Sequence, residues 1–187
     1  MNFDKYSPKL HLALTTTAKA HHQQYRKGTN TPYFTHPVGV AIILDRYGFP
    51  ESWVLAGLLH DVLEDTDLTT SFLEKNFGNE VTEIVLGCSE PYHNEKPWFE
   101  RKKHTIDYLR TAPLSVKVVS CADKLHNLLT ILNDLPELGE QLWQRFRYGK
   151  EKQGWYYSSL VESLLANLAQ NELHDIFHEY KQTVNKV

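Results

Sequence analysis

The stretch Leu58-Leu59-His60-Asp61-Val62-Leu63-Glu64-Asp65-Thr66 sets an imidazole and three carboxylates at the end of an apolar run that begins at Ser52. Ser52-Trp53-Val54-Leu55-Ala56-Gly57-Leu58-Leu59 is long and greasy enough to form a buried helix. Charge carried into such surroundings must be paired or bound to a cation. In a continuous helix Glu64 follows His60 by one turn, and Asp65 follows Asp61 by one turn. An imidazole then lines up with one carboxylate, and a second carboxylate with a third. That pattern makes a metal site with acid–base groups beside it. The plainer alternative is a His-Asp pair at a helix end followed by exposed acids.

Outward from this stretch the periodicity is helical nearly throughout, and strand-like alternation is almost absent, so the expected fold class is all-α. Ser7-Pro8 reads as a helix start, with Leu10, Leu14, Ala18, His21 and Tyr25 on one face. The loop Arg26 to Pro32 leads into a second helix ending near Tyr47, with Gly48 as its stop. Helices are expected over 70–77, which stops at Gly78, and over 80–88, followed by a 90–97 loop. Further helices are expected over 98–110 and over 114–135, the latter ended by Pro136. The polar segment Arg145 to Gly154 reads as loop, and helices over 155–170 and 172–183 close the chain. With 187 residues and no repeat or linker, a single domain over 1–187 is expected.

A net charge of −3 argues against nucleic acid as the partner. No segment approaches 18 apolar residues, and Met1 to Tyr6 lacks a signal-peptide hydrophobic region, so no membrane partner and a cytoplasmic location are expected. Cys88 and Cys121 are isolated and read as reduced core residues.

Two further constellations stand out. Asp123, Asn127 and Thr130 fall on one face of the long helix, opposite Val118, Leu125 and Leu129. A metal at Asp123 and a sugar or phosphate at Asn127 and Thr130 would satisfy that polar stripe, as would solvent on a surface helix. His36 precedes Pro37, a residue suited to a first helical turn, which holds the imidazole at a helix entrance.

In this order, His36, His60-Asp61 and Asp123 resemble the HD phosphohydrolase superfamily, whose metal ligands follow the pattern His…His-Asp…Asp. The blocks Arg26-Lys27-Gly28, Tyr33-Phe34-Thr35-His36-Pro37, Leu59 to Thr66 and Ala122 to Leu128 narrow the resemblance to the hydrolase domain of RelA/SpoT-type proteins. With no synthetase domain attached, the chain resembles the small, Mesh1-like alarmone hydrolases over about residues 5 to 165.

The resemblance implies a single compact HD-domain helical bundle. It makes His36, His60, Asp61 and Asp123 the ligands of Mn²⁺, with Fe²⁺ or Zn²⁺ as alternatives for this mixed nitrogen and oxygen set. The ion would lower the pKa of bound water and polarise the phosphoryl group. Glu64 and Asp65 match the family's catalytic pair, which divides water orientation and proton transfer. Arg26 matches an arginine that stacks on the nucleobase. Lys27 becomes a phosphate contact and Lys102 a pyrophosphate ligand, while Asn127 and Thr130 lie near ribose and base. Lys152 and Tyr156 contribute to the same pocket. His21, His22, His126, His174 and His178 match no role and are expected in the core or on the surface.

The expected activity is a Mn²⁺-dependent 3′-pyrophosphohydrolase acting on a small-molecule nucleotide, ppGpp or pppGpp. Adenosine alarmones, or another HD-type nucleotide reaction, are the alternatives. A non-enzymatic nucleotide-binding regulator is disfavoured because all four ligands and both carboxylates are present. Leu129 and Lys124 depart from the family's frequent basic and arginine residues, and the segment from Leu142 to Trp155 differs from the long bifunctional enzymes. These departures leave base preference and the number of 5′ phosphates open, as the sequence leaves oligomeric state.

Overall fold

The structure is a computed structural model that describes residues 7–91 and 95–187. The N-terminus read for a signal sequence, and residues 92–94 of the expected 90–97 loop, lie outside the described residues. The fold is all-α, and among the described residues no strand forms beyond an isolated bridge between Tyr25 and Pro32. The chain divides into two compact units, one running to Pro91 and the other from there to Val187.

The first unit is built on α3 (Glu51–Leu59), which is buried continuously from Val54 to Leu59. Around it lie α1 (Pro8–Ala20), α2 (Thr35–Arg46) and α6 (Asn79–Cys88), with α5 (Thr70–Phe77) against α6. Burying side chains such as Leu44, Leu55, Leu58 and Leu59 stabilises this core by about 1.5–3 kcal/mol each. Ser7 caps α1 by accepting the Leu10 amide proton at 3.0 Å, as its sequence suggests. The inward face of α1 differs from expectation, being Ala13, Thr16, Thr17 and the following His21, while Tyr25 is exposed. Small residues lie along that seam, and Thr17 donates its hydroxyl to the Leu58 carbonyl at 2.9 Å. Close approach and a buried hydrogen bond outweigh the larger apolar side chains at 10 and 14.

Gly57 permits the closest packing of α3 on α2. A Cβ there would stand 2.5 Å from Leu44 Cδ1 and 3.2 Å from Val40 Cγ1. Since His36 lies on the first turn of α2 and His60 follows α3, this contact also sets how near the two imidazoles come.

The second unit is organised on α8 (Leu114–Leu138), against which α9 (Gly149–Leu165) and α10 (Asp175–Val184) pack, with α7 (Trp98–Leu109) on α9. Pro136 lies inside α8 rather than ending it. It falls in the last turn, where the missing amide costs one bond, and the helix stops at Gly139, whose φ is +52°. Of the segment expected as loop over 145–154, Arg145 ends a 3-10 helix, Gly139–Arg145, residues 146–148 form a turn, and Gly149 to Gly154 are the first turns of α9. Lys150, Glu151 and Lys152 form the solvated start of a helix whose inner face begins at Gln153 and Tyr156.

Lys117 is buried, and its ammonium donates to the carbonyls of Arg110 at 3.3 Å, Ser163 at 3.5 Å and Ala166. Those carbonyls close the C-terminal ends of α7 and α9, the pole that favours a cation. Burial pulls the Lys117 pKa down, and Glu172 counters it in part. Cys88 and Cys121 are both free thiols. Among the described residues no helix is long and apolar enough to cross a membrane.

Candidate active site

The His-Asp pair does not sit in an unbroken helix. The α3 helix ends at Leu59, and a single turn, α4 (Val62–Asp65), follows after His60 and Asp61. His60 Nδ1 lies 2.8 Å from the Gly57 carbonyl, competing for the acceptor that a continuing helix would give to the Asp61 amide. The i to i+4 relation survives the break, because the Asp65 amide bonds the Asp61 carbonyl at 3.0 Å. A carbonyl only accepts, so Nδ1 carries a proton toward Gly57 and Nε2 is the ring atom left to face the cluster. Nε2 stands 2.9 Å from Asp61 Oδ2.

His36 Nε2 lies 3.8 Å from the same carboxylate oxygen, and the two imidazoles meet edge to face with centroids 5.2 Å apart. His36 and His60 are 2% and 3% exposed. Among the described residues, His36, His60 and Asp61 form the group that could hold a metal ion, their ligand atoms all within 4.8 Å of one another. Two donors at about 2.1 Å from one ion stand about 3 Å apart when at right angles, the scale found here. Two imidazole nitrogens and a carboxylate, with one ring already oriented by a backbone carbonyl, fit a divalent cation.

Glu64 is half-buried and accepts the Glu90 amide proton, whereas Asp65 is exposed. The Asp65 carbonyl accepts the Gln24 side-chain amide at 2.7 Å, and Gln24 Oε1 lies 2.7 Å from His21 Nδ1. Arg26 is partly exposed, with its guanidinium over the Tyr33 ring at 5.7 Å, and Lys27 is exposed beside it. The Tyr33 hydroxyl donates to Asp61 Oδ2. Tyr33, His21 and Gln24 make contacts here that no sequence pattern assigned to them. The available signal was positional: Tyr33 is one helical turn before His36, and Gln24 is three residues after a buried His21.

In the second unit, Asp123 is buried and accepts from Lys124 Nζ at 2.5 Å and from Asn127 Nδ2 at 2.7 Å. The polar stripe thus pairs Asp123 with Asn127 as its spacing suggests, while Thr130 donates its hydroxyl back to the His126 carbonyl at 2.8 Å. Lys102 lies over the Tyr156 ring at 5.1 Å, so these two expected substrate residues adjoin. The Tyr156 hydroxyl is buried without a hydrogen-bond partner among the described residues. Lys152 is exposed. Trp98 stacks on Tyr148 at 4.8 Å and Phe99 on Trp155 at 4.9 Å, so two rings of α7 pack on two rings of the divergent segment from Leu142 to Trp155.

Comparison with known proteins agrees with this architecture. The HD domain family model matches residues 13–147. The chain is 36% identical over 121 residues to guanosine-3′,5′-bis(diphosphate) 3′-pyrophosphohydrolase MESH1 of Danio rerio, covering 64% of this chain and 66% of that protein. It therefore spans just under two thirds of that relative's length. The Homo sapiens MESH1 protein is 40% identical over 123 residues, 64% of this chain and 68% of its own. A solved structure of a metazoan SpoT orthologue that hydrolyses ppGpp matches with a TM-score of 0.76 and 28% identity, over 96% of both chains. The chain belongs to the HD-domain family, among the relatives of MESH1 and SpoT.

Proposed function

We propose that this protein is a divalent-metal-dependent 3′-pyrophosphohydrolase of guanosine alarmones, adding water to ppGpp or pppGpp to release GDP or GTP and pyrophosphate. The observation that carries the reading is the cluster of buried His36 and His60 with half-buried Asp61, and Glu64 held one turn away. Relatives at 36% and 40% identity bear that activity in their names. Bound at the cluster, the ion would supply Lewis acidity toward the phosphoryl group and make water nucleophilic at neutral pH; the donor set suits Mn²⁺, with Fe²⁺ or Zn²⁺ as substitutes. Asp123 is the fourth ligand by family resemblance.

Glu64, tethered by the Glu90 amide, orients the attacking water and takes its proton. Asp65, exposed to solvent, exchanges protons with bulk water and delivers one to the departing ribose 3′ oxygen. Arg26 offers the purine a planar cation already backed by the Tyr33 ring. By the same resemblance, Lys27 and Lys102 take phosphate, Asn127 and Thr130 lie near ribose and base, and Lys152 and Tyr156 complete the pocket. A guanidinium stack accepts any purine, which makes adenosine alarmones the second reading. The HD-type domain takes in the whole chain, supported by a family match that continues past Pro91. Two free thiols agree with a cytoplasmic setting.

The test is to offer purified protein ppGpp, ppApp and ordinary nucleotides with Mn²⁺ and to separate the products by chromatography. GDP and pyrophosphate from ppGpp are expected, with chelation abolishing the reaction and Mn²⁺ restoring it. Full turnover after exhaustive chelation, or release of orthophosphate instead of pyrophosphate, overturns the reading.

A further inference from the structure

We infer that Tyr33 is a positioning residue that ties the metal cluster to the nucleobase clamp, its hydroxyl fixing Asp61 and its ring supporting Arg26. The inference rests on the function proposed above and adds a residue to its machinery. Tyr33 stands where the loop after α1 closes: its amide bonds the Gln24 carbonyl at 2.8 Å, and the Arg26 amide bonds the Thr31 carbonyl at 2.8 Å. Its ring packs against two histidines, His21 at 5.0 Å and His36 at 5.7 Å. A side chain with two torsions, in contact with two neighbouring rings, presents its hydroxyl with little freedom to lose.

That hydroxyl donates to Asp61 Oδ2, the oxygen that also faces His60 Nε2 at 2.9 Å and His36 Nε2 at 3.8 Å. A donor on this oxygen fixes the rotation of the carboxylate and leaves it further lone pairs for an ion. On the same ring the Arg26 guanidinium lies 5.7 Å from the centroid, within cation–π reach. One side chain therefore touches a proposed metal ligand and the proposed base-stacking cation. Its two contacts use different atoms and are separable by substitution.

Tyr33→Phe keeps the ring and removes the hydroxyl, whereas Tyr33→Leu removes both. Mn²⁺ affinity is measured by chelator competition without nucleotide, and kcat and KM at saturating Mn²⁺, with Asp61→Ala as reference and circular dichroism to verify folding. Both Tyr33 variants should bind Mn²⁺ about tenfold more weakly. In Tyr33→Phe, excess Mn²⁺ should restore kcat and KM should match wild type. In Tyr33→Leu, KM should also rise about tenfold, the scale of a lost cation–π support. Wild-type Mn²⁺ affinity in Tyr33→Phe, with Asp61→Ala losing the ion, overturns the positioning role and leaves the metal reading standing. Undiminished Mn²⁺ binding in Asp61→Ala brings down the metal reading itself. An unchanged KM in Tyr33→Leu removes the tie to Arg26 and with it the coupling.

Discussion

His60 meets different surroundings at its two ring nitrogens, a backbone carbonyl at Nδ1 and a carboxylate at Nε2. That such a residue could hold an ion is legible in sequence, because charge at the end of an apolar run must be paired or bound to a cation. The residues around the cluster are not: Tyr33 beside Asp61, and His21 and Gln24 reaching the Asp65 carbonyl, are ordinary residue types, and what recruits them is a loop that folds back, which no periodicity encodes. The same limit applies to Glu64 and Asp65, adjacent in sequence yet one tethered by the Glu90 amide and the other exposed. If both act on protons, Glu64→Gln combined with Asp65→Asn should retain Mn²⁺ and nucleotide while turnover falls by at least about a hundredfold. Single-turnover kinetics beside a direct metal titration check this; near-normal turnover would move the chemistry elsewhere.

Among the elements, helix ends marked by local chemistry were the readable ones: Ser7-Pro8 opens α1, and Gly48 and Gly78, at φ +73° and +89°, close α2 and α5. Ends decided by tertiary context were not. The His60 ring breaks the α3 helix, α8 runs through Pro136, and α9 begins in a polar stretch whose inner face appears only from Gln153. The α2–α3 pair offers a test of how packing sets the cluster. Gly57→Val would press on Leu44 and Val40, an overpacking cost of about 1–3 kcal/mol, lowering Tm by several degrees. Because His36 and His60 ride on these helices, Mn²⁺ affinity should fall with it. A calorimetric melt and a metal titration on one sample decide the matter, and a variant that loses Tm but keeps full affinity would uncouple packing from the cluster.

For the molecule as a whole, stability at alkaline pH responds to two buried acids of the second unit, Tyr180 and Cys121. Burial, with Cys121, Tyr157 and Tyr156 adding to it, pushes the Tyr180 phenol well above its ordinary range; its hydroxyl donates to the Tyr157 carbonyl at 2.9 Å. Burial raises the Cys121 thiol in the same way. In both the folded state keeps a proton that the unfolded chain releases, so their contribution is present below the unfolded pKa values, about 8.5 and 10, and declines as pH rises beyond them. Tyr180→Phe should cost about 1 kcal/mol at neutral pH and lose less than wild type between pH 8 and pH 10.5. Denaturant titrations at the two pH values read this directly, and equal losses would refute it. Lys117, sealed against three carbonyls, has a consequence for labelling chemistry. Amine-directed acylating reagents should modify the exposed lysines first and reach Lys117 only when the second unit opens. Its acylation rate is then a clock for that opening, and once acylated the side chain has no charge left with which to close the two helix ends.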